Sequence, residues 1–279
     1  MPPSIFLLIE KNFQQSLIFQ KFFMETNPEN HSHPQNPDQQ MSKPDLQMIL
    51  KEILSHTDFN NNVTYRNLKT TDDTDQLKIL FEEWFPISYP DEFYTELLEG
   101  DSMNTLLAVY TALHNGQPVD VILGCIIYDF RPVTELLIRQ TDLFRDLKSL
   151  YICLLGVVKE LRNKRLATSL LQTVLNRAKQ YPNVKTAHLD VLSSNQPAIR
   201  FYQKNGFVQS HVKKEYYEID DKTFDSHVYC FYIQNSSEKK ATPIFSLFNY
   251  VWNMGFTMYK LAEATGEESV GNVISLKIY

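Results

Sequence analysis

The stretch Leu150-Tyr151-Ile152-Cys153-Leu154-Leu155-Gly156-Val157-Val158 is followed by Lys159-Glu160-Leu161-Arg162-Asn163-Lys164-Arg165-Leu166-Ala167-Thr168. The first part is an apolar run of strand length, and the second is a short basic connection that feeds an amphipathic helix. A second strand follows from His188 to Leu192, and then a helix with Asn195 at its cap, Pro197 in its first turn and Gly206 at its end. A strand entering a helix through a tight basic turn leaves backbone N–H groups and the positive end of the helix dipole aimed at one spot. Such a spot suits an anionic cofactor, a pyrophosphate above all.

The rest of the chain extends this unit in both directions. Val63 to Lys69 alternates as a strand, and Thr71 or Asp72 is placed to cap a helix with Leu77, Leu80, Phe81 and Trp84 on one face. A turn, Trp84-Phe85-Pro86-Ile87-Ser88-Tyr89-Pro90, leads to a short helix near Glu92 to Glu99. Asn104 to Leu113 and Val119 to Asp129 read as a hairpin broken at His114-Asn115-Gly116. Phe207 to Ile219 and Thr223 to Ile233 are two further strands joined at Asp220-Asp221-Lys222. This order of elements is α+β, with a mixed central sheet flanked by helices.

Composition bounds the function. The chain has 279 residues, of which 43% are hydrophobic and 22% charged, enough apolar material for a sizeable core. Its net charge of -6 argues against a nucleic-acid partner. Cys125, Cys153 and Cys230 lie in apolar runs without metal-ligand spacing, so they read as buried thiols, and no metal site is expected. Residues 1–62 read as an extension with short helices, one of them over Asp45 to His56, and a linker rich in Asn, Pro, His and Gln over Thr26 to Gln40. The globular core is expected over 63–235 and a tail over 236–279. In that tail, Pro243 to Ala262 placed on a helix confines Ser246, Asn249, Asn253, Thr257 and Lys260 to one narrow stripe. Its broad aromatic face, preceded by Lys239 and Lys240, suits an amphipathic helix lying in a membrane surface; packing on the core or a second copy, and a spanning tail anchor, are the alternatives.

The element order, the sequence Arg162-Asn163-Lys164-Arg165-Leu166-Ala167 after Val157-Val158, and Asn195-Gln196-Pro197-Ala198-Ile199-Arg200-Phe201-Tyr202 resemble the GNAT acetyltransferases. Trp84-Phe85-Pro86-Ile87 with Tyr89-Pro90, Gly156 to Glu160 and Ala198 to Tyr202 look most like the membrane-associated N-alpha-acetyltransferases of the NatF type. The resemblance implies a GNAT fold and transfer of acetyl from acetyl-CoA to the α-amine of protein N termini. It implies cofactor contacts at Leu155, Val157 and Val158 beside the pantetheine arm, at Arg162, Asn163, Lys164, Arg165, Leu166, Ala167 and Thr168 around the pyrophosphate, and at Asn195 and Tyr202. Tyr202 would stand beside the sulfur, as a donor to the leaving thiolate. The family's turn has glycine where this chain has Arg165, and a Cβ there restricts φ.

The family's proton acceptors are a Tyr on the strand before the turn and a His on the next strand. Tyr151 matches the first, whereas Asp190 occupies the second position, with His188 two residues away on the same strand face. The expected ranking for this role is Tyr151, then Asp190, then His188. For His188 the alternative is a strand histidine satisfied by hydrogen bonds. Peptide recognition is expected from Phe85, Pro86, Ile87 and Tyr89, with Tyr216 and Tyr217, forming an apolar slot for a first residue such as Met; plain helix-to-sheet packing is the alternative for these aromatics. The resemblance also implies peripheral attachment, through residues 243–262, to the cytosolic face of a secretory-pathway membrane, the Golgi in particular. The rival readings are a lysine or small-amine acetyltransferase, and a catalytically silent, membrane-attached acyl-CoA-binding module. Oligomeric state stays open.

Overall fold

The computed structural model describes residues 43–55, 62–85, 89–100, 103–114, 116–132, 146–219 and 222–233. The expected linker over 26–40, the amphipathic segment 243–262, and Pro86, Ile87 and Ser88 lie outside the described residues. The elements in chain order are α1 (Lys43–Ser55), β1 (Val63–Asn67), α2 (Thr71–Trp84), α3 (Asp91–Glu99), β2 (Asn104–His114), β3 (Gln117–Pro132), β4 (Lys148–Val157), α4 (Leu166–Ala178), β5 (Val184–Leu192), α5 (Gln196–Lys204), β6 (Val208–Ile219) and β7 (Lys222–Tyr232). A 3₁₀ turn, Lys159–Leu161, joins β4 to the basic connection. The strands are ordered β1-β2-β3-β4-β5-β7-β6. Pairing is antiparallel for β1 with β2, β5 with β7, and β6 with β7, and parallel for β4 with β5. The expected mixed sheet with flanking helices is therefore borne out.

The chain divides into two compact units. One comprises the described residues up to Ile127 together with Leu155–Leu170, and the other comprises Tyr128–Leu154 and the described residues from Leu171 on.

In the first unit, β2 from Thr105 to Val109 and β3 from Val121 to Ile127 are buried on both faces, so these strands read as continuous apolar runs rather than alternating ones. α2 begins one residue earlier than expected, because Thr70, not Thr71 or Asp72, is the cap. Thr70 is extended at φ -131 and its hydroxyl accepts from Asp73 N–H, while the Asp73 carboxylate accepts from Thr70 N–H. Arg66 on β1 decides this register: its guanidinium donates to both Asp73 oxygens at 2.8 Å. Further along α2, Gln76 donates to Asp120 O at 2.9 Å and accepts from Ile122 N–H at 3.0 Å, which joins α2 to β3. Leu77, Leu80 and Phe81 are buried as the helical spacing requires.

The second unit is built on β5, β7 and β6. β5 alternates partly and buries Ala187, Leu189 and Val191 with Thr186 and His188. α5 is capped by Asn195 Oδ1, which accepts from Ala198 N–H at 3.2 Å, and ends where Gly206 takes φ +88. Phe207 N–H then returns to Tyr202 O at 3.0 Å, fixing the aromatic face of α5.

Candidate active site

The first unit holds the basic connection. After β4, Val158 N–H donates to Leu123 O at 3.0 Å, and Val158 O accepts from Leu161 N–H at 3.0 Å. Both backbone groups of Val158 are thus engaged within the protein, so a pantetheine contact at this residue falls to its side chain or to a second lone pair. Gly156 is required by packing: a Cβ there would overlap the six-membered ring of Trp84. Trp84 closes the end of α2 in a cluster with Phe81 and Phe85, where Phe81 meets the Phe85 ring edge at 5.4 Å between centroids. Tyr89 stacks on Phe93 at 4.6 Å. Phe85 and Tyr89, expected at the peptide slot, therefore sit in an aromatic cluster with α2 and α3; their expected companions Pro86 and Ile87 lie outside the described residues.

In the connection itself, Arg162 N–H donates to Lys159 O at 3.2 Å and Lys164 N–H to Leu161 O at 3.3 Å. Asn163 takes φ +64 and Arg165 φ +68. Arg165, where the resembled pattern has glycine, thus takes the left-handed conformation that glycine adopts without strain. Successive residues that alternate into the left-handed region turn their N–H groups toward one concavity, and the first N–H groups of α4, at Leu166, Ala167 and Thr168, have no carbonyl partner one turn back. The side chains of Arg162, Asn163, Lys164 and Arg165 are exposed. Backbone donors with cations around them fit a diphosphate.

The second unit gathers a polar cluster. Parallel pairing of β4 with β5 sets Ser149 opposite Thr186 and Tyr151 opposite His188. Side chains two residues apart on a strand share a face, so Tyr151, His188 and Asp190 converge. The Tyr151 hydroxyl donates to Asp190 Oδ2 at 3.2 Å, and its ring lies 4.8 Å from the His188 ring. The Asp190 side chain, only 4% exposed, is also held by Lys213 Nζ at 2.9 Å and by the Ser226 hydroxyl at 3.1 Å. Arg131 lies over the Tyr151 ring, its guanidinium carbon 3.8 Å from the centroid.

Burial, together with the neighbouring Asp190, Tyr216 and Cys153, pushes the Tyr151 phenol well above its ordinary range. Burial first, and then the positive charges of Arg131, Lys213 and His211, hold the His188 imidazolium well below its usual pKa, so the ring is neutral near pH 7. His188 Nδ1 lies 2.7 Å from Ser149 Oγ, which itself accepts from Thr186 Oγ1 at 2.8 Å. His188 thus meets the description of a buried strand histidine with its hydrogen bond made. Tyr202 is buried between Phe201 and Phe207, at ring distances of 5.1 and 5.5 Å, and desolvation raises its phenol pKa. Tyr216 and Tyr217 meet edge to face at 5.0 Å, with Lys213 Nζ 4.6 Å from the Tyr216 centroid. The three cysteines are free thiols; burial pushes Cys153 and Cys230 up to about 12.

Four groups of this cluster escaped the sequence reading: Arg131, Ser149, Lys213 and Ser226. Ser149 was accessible in principle through its two-residue spacing from Tyr151. Lys213 and Ser226 face one another only through the β6–β7 register, which no local spacing encodes.

Residues 74–207 match the Acetyltransferase (GNAT) family. The chain is 29% identical over 201 residues to N-alpha-acetyltransferase 60 of Xenopus tropicalis, covering 70% of this chain and 78% of the relative. It is 32% identical over 181 residues to N-alpha-acetyltransferase 50 of Danio rerio, covering 65% of this chain and 89% of the relative. In fold it is similar to Arabidopsis thaliana NAA60 solved with a bisubstrate analogue, at 24% identity and a TM-score of 0.55, over 62% of this chain and 99% of that one. With its strand-turn-helix connection, its mixed sheet and a relative this similar over nearly nine-tenths of its length, the chain belongs to the GNAT acetyltransferase family.

Proposed function

We propose that this protein is an acetyl-CoA-dependent N-terminal acetyltransferase. Its relatives are named N-alpha-acetyltransferases, and its fold neighbours include a complex of Arabidopsis thaliana NAA60 with acetyl-CoA. The observation that favours an α-amine over a lysine side chain is the character of the Asp190 cluster. Asp190 is engaged by Lys213, Ser226 and Tyr151, the Tyr151 phenol keeps its proton, and His188 is a neutral ring already bonded at Nδ1. Neither Tyr151, which holds its proton, nor His188, which is a poor base, is tuned to strip a proton from an ammonium near pKa 10.4. An α-amine, with a reference pKa of about 7.7 to 8.0, already arrives partly neutral; the difference is worth roughly 4 kcal/mol.

Acetyl-CoA supplies the thioester carbonyl, and the backbone N–H groups of Asn163 to Thr168 with the Arg162 and Lys164 cations would hold its diphosphate. On transfer, a C–N bond forms to the acetyl carbon, the C–S bond breaks, and one proton passes from nitrogen to sulfur. The Tyr151 oxygen, donating its own hydrogen to Asp190, can accept from the amine N–H and so orient the nitrogen lone pair. Asp190 balances the positive charge that grows on that nitrogen. Tyr202, by family resemblance, is the donor to the leaving sulfur.

Acetylation of Met-starting peptides, compared with the same peptides N-blocked and carrying lysine, is the decisive measurement. Products from the first set alone are expected, with kcat/KM rising through the pKa of the substrate amine as pH increases; acetylated lysine on the blocked set instead would overturn the assignment. Acetyl-CoA binding without either product would leave the silent-module reading standing. For the tail, the aromatic face of 243–262 and Lys239 and Lys240 before it support in-plane attachment to an anionic, cytosol-facing membrane such as that of the Golgi. Protein truncated before Pro243 should then stay in solution when mixed with anionic liposomes, and full cosedimentation of the truncated protein refutes the attachment.

A further inference from the structure

Strands β6 and β7 pair in register from His211↔Val228 to Lys213↔Ser226 and resume at Tyr217↔Phe224. Between these pairs the three residues Lys214, Glu215 and Tyr216 face Asp225 alone, so β6 bulges there. Glu215 sits in the bulge at φ +50, a conformation that costs a residue with a Cβ. Asp225 holds it in place from across the ladder. Its Oδ1 accepts from Glu215 N–H at 3.1 Å, and its Oδ2 takes Lys214 Nζ at 2.8 Å. The backbone of Asp225 is pinned in turn, because its carbonyl accepts from Ser193 N–H at 3.0 Å.

The bulge decides where two tyrosines stand. It places the Tyr216 ring beside Lys213 Nζ and edge to face with Tyr217. Ser226, next to Asp225, donates to Asp190. Regular pairing without the two extra residues would draw both tyrosines along the strand by roughly 7 Å, away from the Asp190 cluster.

Resting on the reading of this protein as an N-terminal acetyltransferase, we infer that Asp225 is a positioning residue for the substrate peptide: its carboxylate clamps the β6 bulge and thereby holds Tyr216 and Tyr217 beside the Asp190 cluster. In the bonds described above Asp225 holds Lys214, Glu215 and Ser193 rather than Tyr151 or Asp190, so its expected effect falls on the peptide rather than on the chemical step.

The test uses the full chain as wild type, Asp225→Ala, Glu215→Gly and the double variant. For Asp225→Ala, KM for peptide is expected to rise about tenfold, on the scale set by a left-handed residue losing its support, with kcat and KM for acetyl-CoA within about twofold of wild type. Glycine adopts positive φ without strain, so the double variant should recover most of the lost peptide affinity. Amide hydrogen exchange at Glu215 should be slow in wild type and fast in Asp225→Ala. An unchanged peptide KM in Asp225→Ala overturns the inference. So does a uniform loss in all three kinetic constants with a lowered melting temperature, which marks a purely structural role. Should wild-type protein acetylate no N-terminal peptide, the functional reading fails on its own, and the Glu215 exchange rates still decide whether the clamp exists: equal rates in wild type and Asp225→Ala refute it.

Discussion

The basic connection after β4 and the bulge of β6 both force side-chain-bearing residues into the left-handed region, yet they are held in opposite ways. In the connection, Asn163 and Arg165 turn within a frame of backbone bonds, Arg162 N–H to Lys159 O and Lys164 N–H to Leu161 O, with their side chains in solvent. In the bulge, Glu215 is held by the side chain of Asp225, and the neighbouring cluster is also a set of side chains meeting one another. A region whose work is done by peptide groups should tolerate side-chain substitution, Arg165 at a position that favours glycine included. A region whose work is done by side chains does not.

That contrast can be broken at its strongest point by Asp190→Ala. The substitution strands Lys213 and removes the acceptor of Tyr151 and Ser226. It should lower kcat/KM for peptide by roughly 10² to 10³ and cost about 3 kcal/mol in urea unfolding, the lower end for a broken buried pair because the Lys213 side chain is 37% exposed. Full activity in this variant would remove the cluster from the reaction.

Gly156→Ala probes a place where the cofactor-side region depends on a side chain, that of Trp84. The added methyl meets the Trp84 ring, so a loss of about 2 to 3 kcal/mol is expected from overpacking. A wild-type melting curve would show that Trp84 moves freely.

Tyr151→Phe keeps the ring against His188 and under Arg131 but deletes the bond to Asp190. Turnover at saturating substrates should fall about 10- to 100-fold. Near-normal turnover would pass first rank to Asp190.

The pH dependence of stability sharpens the role of His188. Its folded pKa lies well below the reference of about 6.5, so the unfolded chain binds the extra proton in between. The stabilisation is complete above about pH 6.5 and declines as pH falls below it, by at most about 1.4 kcal/mol per pH unit. His211, shifted the same way, adds to the slope. Urea midpoints between pH 7.5 and 5 should therefore fall less steeply in His188→Gln than in wild type, and parallel curves would contradict the burial of a neutral ring.

The smallest effect is expected at Arg165→Gly. Relief of the left-handed backbone at φ +68 should add about 1 kcal/mol or raise acetyl-CoA affinity a few fold, with some of the charge contribution lost. Calorimetric titration decides, and a large drop in affinity would mean that the guanidinium itself, rather than the turn, holds the diphosphate.

Much of this was legible in the residues. Residue patterns placed most of the described elements near their observed bounds, since the core is built largely from local periods such as Leu77, Leu80 and Phe81 on α2; β5, read from His188, begins at Val184, and α4 was anticipated without bounds. The α2 cap was missed by one residue because Thr70 and Thr71 are both competent caps, and a residue on another element, Arg66, chooses between them. At the site, Tyr151 and Asp190 were picked out by the family resemblance, and His188 by its two-residue spacing from Asp190, which is a local rule. Arg131, Ser149, Lys213, Ser226 and Asp225 were not, because what they touch is fixed by ladder register.

The sequence by itself determined the α+β order, the family, and the turn whose peptide groups suit a diphosphate, because each of these depends on residues close together in the chain. Only the tertiary structure decided that Asp190 is held by Lys213, that His188 is buried and neutral, and that Asp225 supports a bulge. These depend on which residues of β4, β5, β6 and β7 stand opposite one another, and a register shift of a single residue would have separated them without changing any local pattern.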